Sequence, residues 1–395
     1  MTRETTTPPP RRTGRRTDRR AEVVAAAAAL FRQHGYPQVG IDEIGDAVGF
    51  SGPAVYRYFA SKADLLEAVV AGHLDRLEAT SAPVADRATA VAGLIEVALR
   101  SPDGLVTASR QAEHLSPAAA LALDARRRDL GPAWAALVPS VAAASERDSA
   151  DELRARCAAG IVTHVALARP GTLPVKRRLL TGALHGVLDS AVSLSATSRP
   201  PLERPLAHAT RREAVLAAAT ELMAARGFAA VSLNDIGAAT GITASAVMRH
   251  FASKEELLGA AVNRVGEQVA GGLSIAIRGA CDAEDALRRI VRTYVALATD
   301  HRDVLVIQTL DAAALPPRHE EERRRRHRMY VDELAHVIAR ARPSLSEAEA
   351  RLRAGMTYAM VNEVVLSPTM LAHEGLVDDL VVLATLVASG DSAVS

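Results

Sequence analysis

An all-α fold built from two similar units in tandem is what this sequence predicts, and three observations predict it. The stretch Gly49–Lys62 (Gly-Phe-Ser-Gly-Pro-Ala-Val-Tyr-Arg-Tyr-Phe-Ala-Ser-Lys) returns at Gly241–Lys254 as Gly-Ile-Thr-Ala-Ser-Ala-Val-Met-Arg-His-Phe-Ala-Ser-Lys. The register between them is gapless, with Arg19 mapping to Arg211, Gly35 to Gly227 and Phe59 to Phe251. A self-match at one long fixed offset marks a duplicated domain rather than a short-repeat solenoid. Second, 49% of the 395 residues are hydrophobic but only 3% are aromatic. The core is therefore filled by Ala, Leu and Val, and Ala and Leu are strong helix formers. Third, apolar residues recur at helical spacing between glycine and proline breaks.

Composition excludes several function classes. A formal net charge of +1 gives whole-chain electrostatics no preference for nucleic acid, membrane or acidic substrate. The two cysteines, Cys157 and Cys281, sit in unrelated contexts and build neither a disulfide framework nor a metal spacing, which fits a reducing compartment. The start is polar and Arg-rich, and no apolar run reaches the ~18 residues of a membrane helix. A soluble, cytoplasmic protein is the expectation.

In chain order, residues 1–18 form a Thr/Pro/Arg-rich tail with almost nothing apolar to bury, predicted to be disordered when free. Its arginines suit either a solubilising terminus or an arm along a DNA backbone or minor groove. A unit over 19–78 follows. Its first helix begins near Asp18, carries Val24, Ala27, Ala28 and Phe31 on one face, and stops at His34-Gly35. Ile41, Ile44 and Val48 mark a short second helix closed by Gly49. Ser51 is placed as the next N-cap with Pro53 in the first turn, opening a third helix over 53–59. Ser61 to Asp64 reads as a capping box, repeated at Ser253 to Glu256, before a long fourth helix.

Two short helices joined by a glycine turn and backed by a longer one describe a helix-turn-helix, whose second helix fits the major groove. That helix is expected to expose Gly52, Pro53, Val55, Tyr56 and Arg57, with Val39, Ile44 and Phe59 inside. Tyr56, Tyr58 and Lys62 are candidate phosphate donors.

Gly-Phe-Ser-x-x-Ala-Val-Tyr-x-Tyr-Phe-x-Ser-Lys, with Gly35-Tyr36 upstream, resembles the DNA-binding domain of the tetracycline-repressor (TetR) family. The second match runs through Gly227-Phe228 and Thr243 to Lys254. The resemblance implies two TetR-like units, each a three-helix helix-turn-helix domain followed by a helical ligand-binding and dimerisation domain. It implies DNA-contacting residues Ser51, Gly52, Pro53, Val55, Tyr56, Arg57, Tyr58 and Lys62 in the first copy. In the second they are Thr243, Ala244, Ser245, Met248, Arg249, His250 and Lys254. The copies depart from the pattern differently. The first has Gly40 where the second keeps the usual Ser as Ser232, and the second has Met248, which cannot donate a hydrogen bond, in place of Tyr56. Residues 21–80 also carry more acid than base, an objection to strong non-specific DNA binding.

Residues 79–195 read as a first helical body of five helices with breaks at Pro83, Ser101-Pro102, Ser116-Pro117, Gly131-Pro132 and Pro170 to Pro174, the last helix running from Val175 to Leu194. A Pro-rich linker over 196–209 spans at most about 45–50 Å. The second unit repeats the plan, with a helix-turn-helix domain over 210–270 and a body over 271–395. Within it, Glu320/Arg324, Glu321/Arg325 and Glu322/Arg326 pair at i,i+4 and read as a solvated helix face. The penultimate helix opens at Ser344 to Glu347 and ends at Leu366, and the last covers 375–387. The family's bodies hold an apolar pocket, so Trp134, His164 and His185 in the first half are candidate ligand-lining residues. Tyr294, Gln308, Met356, Tyr358, Met360 and Asn362 are those in the second. No cofactor or metal site is expected, and no phosphate loop, nucleophile elbow or metalloprotease motif supports an enzyme.

The expected function is a transcriptional repressor relieved by a small apolar ligand, with double-stranded operator DNA as partner and the two halves acting as an intramolecular pseudo-dimer. Two alternatives stand beside it: a homodimer of chains using only the first head on DNA, and an adaptor for ligand or protein with no operator.

Overall fold

The computed structural model describes residues 13–80, 86–111, 114–140, 149–168, 171–192, 194, 208–310 and 314–390. All regular structure among them is helical. The first head comprises α1 (Thr13–His34), α2 (Ile41–Ala47), α3 (Gly52–Val55) and α4 (Lys62–Ala79). Val23, Ala27, Phe31, Val39, Ile44, Val55, Phe59, Leu65 and Leu66 are buried together in its core. Helix α1 starts at Thr13, inside the stretch expected to be a disordered tail. Past Pro10 only Gly14 opposes helix there, and arginine favours it. Residues 1–12 of that tail lie outside the described residues.

The first body runs through α5 (Arg87–Arg100), α6 (Pro102–Gln111), α7 (Pro117–Asp129), α8 (Pro132–Ala135), α9 (Ser149–Leu167) and α10 (Leu173–Leu188). The breaks fall where proline and glycine place them: Ser116 caps α7 by accepting from Ala119 N at 3.1 Å, and Gly131 turns with φ +100°. Pro83 and Pro170 lie outside the described residues. The single-turn α8 was not expected; it seats Trp134, which is buried. Helix α10 stops at Leu188, six residues short of the expected end. Beyond it, Arg154 of α9 donates to the Ser190 and Val192 carbonyls at 3.1 and 2.7 Å, partners that a continuing helix would not need.

The second head is α11 (Arg211–Arg226), α12 (Leu233–Thr240), α13 (Ala244–Met248) and α14 (Lys254–Arg278). The second body is α15 (Ala283–Asp300), α16 (Arg302–Leu310), α17 (Pro317–Ala341), α18 (Glu347–Leu366), the single turn α19 (Pro368–Leu371) and α20 (Leu376–Ser389). Of the expected linker, only residues 208 and 209 are described. On α17 two of the three expected ion pairs form, Glu320 with Arg324 and Glu322 with Arg326. Glu320 holds Arg323 and Arg324, while Arg325 and Arg326 share Glu322, so Glu321 and Arg325 do not pair. Arg326 is largely covered and donates to Asn263 of α14 at 3.0 Å, so this face is only partly solvated.

Each head is fastened to its own body, α1 and α4 lying against α6 and α11 against α16. Arg32 pairs with Asp103, and Thr107 Oγ1 donates to the Ala28 carbonyl at 3.2 Å. The two halves pack on one another through α9 against α18 and α10 against α18 and α20. At the α9–α18 contact the backbones nearly touch, since a Cβ on Gly160 would fall 2.7 Å from the Ala359 carbonyl oxygen. Arg178 of α10 adds an ion pair to Glu349 of α18. No helix among the described residues is long and apolar enough to cross a membrane.

Candidate nucleic-acid interface and adjoining cavity

The turn between α2 and α3 is built by two glycines, and the second head repeats it at the same offset. Gly45 allows the Phe50 amide to reach its carbonyl at 2.8 Å; a Cβ there would lie 2.9 Å from the Phe50 carbonyl oxygen. Gly49 then reverses the chain with φ +70°. Gly237 and Gly241 do the same, with Ile242 N donating to Gly237 at 2.9 Å and φ +68° at Gly241. Gly45 and Gly237 escaped the sequence reading. The available signal was a glycine at matching positions inside two short helices, where it costs about 1 kcal/mol against alanine.

The outer face of α3 is smaller than expected. Ser51, Pro53, Tyr56 and Arg57 are exposed, but Val55 points into the core and Gly52 is buried against Asp42. Those two were expected on the outer face. A helix of one turn cannot present its whole circumference, and the side packed on α2 is hidden from solvent. Ser51 stands at the N-cap without a side-chain hydrogen bond. Tyr58 is half-buried and stacks on Phe50, ring centroids 6.0 Å apart. In the second head Thr243, Ser245, Met248, Arg249 and His250 are exposed, Ala244 is half-buried, and Thr243 caps α13 by accepting from Ala246 N at 3.2 Å. Tyr56 and Met248 occupy equivalent positions at nearly equal exposure, 54% and 52%. The two heads thus share a shape and differ in chemistry.

The lysines are not free donors. Lys62 Nζ donates to the carbonyls of Tyr36 and Val39 at 2.9 and 3.0 Å and lies 4.4 Å from the Tyr36 ring centroid. Burial pushes its pKa below the ordinary lysine value. Lys254 makes the same clamp on Phe228 and Val231 at 2.7 and 2.8 Å. An ammonium has three donors, so each lysine spends at least two on the loop before the second helix. Arg20 over Phe59 and Arg212 over Phe251, each 4.6 Å from the ring centroid, are equivalent cations that sequence reasoning did not single out.

Four of the nine ligand candidates come together. His164, Tyr294, Gln308 and Asn362 line one cavity of about 540 Å³, within the usual range for small-molecule sites. Tyr294 Oη donates to Asn362 Oδ1 at 2.8 Å. Trp134, Met356, Tyr358 and Met360 are instead core. Trp134 packs on Gly93, where a Cβ would fall 2.9 Å from the indole, and Tyr358 donates to the Tyr330 carbonyl at 3.2 Å. His185 is partly buried on α10 and lies outside the cavity lining.

A family model described as "Bacterial regulatory proteins, tetR family" matches residues 23–69 and again 215–261, the α1–α4 and α11–α14 segments. Both heads are thus matched to the helix-turn-helix of the TetR family. The fold of the chain is two TetR-like units, each a helix-turn-helix domain followed by a helical body. An HTH-type transcriptional repressor of Mycobacterium tuberculosis is 40% identical over 76 residues, 18% of this chain and 40% of that protein. The HTH-type transcriptional activator FasR of Mycolicibacterium smegmatis is 44% identical over 48 residues, 12% of this chain and 22% of that one. The chain thus spans well under two thirds of the length of these relatives. Among solved structures, the TetR-family regulator PfmR of Thermus thermophilus aligns over 44% of this chain and 96% of its own, at 18% identity and a TM-score of 0.41.

Proposed function

We propose that this chain is a sequence-specific DNA-binding transcriptional regulator acting in the cytoplasm, with its two TetR-family heads working as an intramolecular pseudo-dimer. The observation that carries the reading is the packing of α9 and α10 on α18 and α20 within one chain. It leaves one molecule with two heads of the same shape. Two-fold readers of DNA place their recognition helices about one helical turn apart. Here the faces are unlike, so the two half-sites are unlike. Ser51, Pro53, Tyr56, Arg57 and Tyr58 contact one, and Thr243, Ser245, Arg249 and His250 the other, with Met248 giving apolar contact only. Lys62 and Lys254 hold the loops that aim these helices. A ligand in the cavity favours a head spacing that does not fit DNA, which makes the protein a repressor relieved by that ligand.

The exposed Met248 supports a second reading, in which only the first head grips DNA and the second half is scaffold. A footprint of the purified chain on DNA flanking its own gene separates the two. One protected stretch with two unlike half-sites, bound by a single chain in light scattering, is expected. A palindromic footprint bound by two chains would overturn the pseudo-dimer. No protection at any salt concentration would leave an adaptor without an operator.

A further inference from the structure

We propose that the cavity binds a carboxylate carried on an apolar chain, and that this ligand acts directly on the first head although most of the cavity belongs to the second body. The inference rests on the regulator reading and names its effector class and its route. Val262 and Val265 of α14 and Leu297 of α15 supply an apolar wall. Arg323 and Arg326 of α17 lie on the same cavity, and Arg32 of α1 lies on it from the other half. In all, four arginines line it against two glutamates, Glu320 and Glu363. An apolar wall beside guanidinium groups fits an amphipathic anion. Each of the four arginines already pairs with a carboxylate, Arg32 with Asp103, Arg323 and Arg324 with Glu320 and Arg326 with Glu322, so what they offer a ligand is unused N–H groups rather than unpaired charge.

Donor bookkeeping locates the carboxylate. Arg323 spends Nε and one Nη on Glu320, at 2.7 and 2.9 Å. Among the described residues Arg32 donates through Nε alone, to Asp103. Both therefore keep terminal N–H groups for an incoming carboxylate, which guanidinium recognises in a fork geometry.

The route to the first head is short. Arg32 is in the last turn of α1, followed by the reversing Gly35. The Tyr36 amide donates to Gln111 Oε1 of α6 at 3.0 Å, Gln111 itself lines the cavity, and the Tyr36 carbonyl is held by Lys62 at the start of α4. An anion on the free Nη groups of Arg32 draws on the guanidinium that also holds Asp103 and so shifts α1 on α6. The residues of the second head equivalent to Arg32–Gly35, 224–227, do not line the cavity. In the first body the large Trp134 is packed beside α5, so the two bodies are not equivalent.

Isothermal titration of the full chain with submicellar decanoate, and with 1-decanol as its neutral counterpart, tests this. Decanoate is expected to bind at one site per chain, at least about tenfold tighter than decanol, the worth of a charge-assisted hydrogen bond. Arg32→Gln is expected to weaken it about tenfold by the same reasoning, whereas Asp103→Asn, which breaks the same α1–α6 pair but keeps the guanidinium, is expected to bind as well or better. Equal binding of decanol, unaltered binding by Arg32→Gln, or equal losses in both variants would overturn the proposal. A gel shift keeps the underlying reading separate: decanoate should release operator DNA from the wild type and not from Arg32→Gln. Release that persists in Arg32→Gln overturns the route through the first head. Failure to find any operator would sink the regulator reading while leaving the titration result standing.

Discussion

Position 56 and its counterpart 248 show how one side chain divides two otherwise matched heads. Tyr56 exposes a hydroxyl where Met248 exposes a thioether, to a similar extent. Tyr56→Phe is expected to lower operator affinity by about 0.5–1.5 kcal/mol, the net worth of one hydrogen bond, read by titrated gel shifts. Arg57→Ala should weaken binding across sequences and reduce the slope of log affinity against log salt by about one. A second residue-scale contrast is the cap of the second helix. Ser232 accepts from Asp235 N at 3.2 Å while Asp235 returns a bond to Ser232 N at 2.8 Å, and Gly40 has no side chain to do this. Ser232→Ala is expected to cost about 1 kcal/mol in urea unfolding. An unchanged midpoint would mean the cap adds nothing.

Elements are held by groups that the helical pattern alone does not reveal. The clamp from Lys62 onto Tyr36 and Val39 ties the start of α4 to the loop before α2, and Lys254 repeats it. Lys62→Met keeps the aliphatic stem but strands the carbonyls, so a loss of about 1–3 kcal/mol is expected on thermal melting. Helix α4 also carries His73, which is buried, and burial beside Arg76 lowers its pKa from 6.5 to about 4. The unfolded chain takes up a proton on this ring below about pH 6.5 that the folded chain refuses until about pH 4. Stability from this site is thus full above the higher value and drains as pH falls between the two. Urea midpoints from pH 7 to 4.5 should decline for the wild type and decline less for His73→Leu. Parallel slopes would acquit His73.

The whole molecule depends on a helix crossing with no room to spare. Gly160 meets the Ala359 carbonyl and Gly355 meets the His164 ring, so α9 and α18 approach backbone to backbone. Gly160→Leu should push the halves apart and cost about 1–3 kcal/mol or more by overpacking. It is also expected to change head spacing, so operator affinity should fall together with the melting temperature. Retained stability and retained affinity would show that this contact does not set the arrangement.

Much of this was legible in the sequence. The duplication, the all-α class and most helix ends followed from local rules: periodicity, proline and glycine breaks, and caps such as Ser61 and Ser253. The exposed positions Tyr56, Arg57, Met248 and Arg249 followed from the repeated motif and its register. Tertiary packing decided the rest, because it depends on what lies opposite a residue rather than beside it. Val55 and Gly52 were lost from the outer face because α2 covers them, and Lys62 became a clamp because the loop carbonyls lie within its reach. Trp134, Met356, Tyr358 and Met360 proved to be core, while Arg32 and Arg323 gathered at one cavity from positions almost three hundred residues apart. Local physics wrote the helices; only the fold, by bringing distant charges and apolar walls together, made a site.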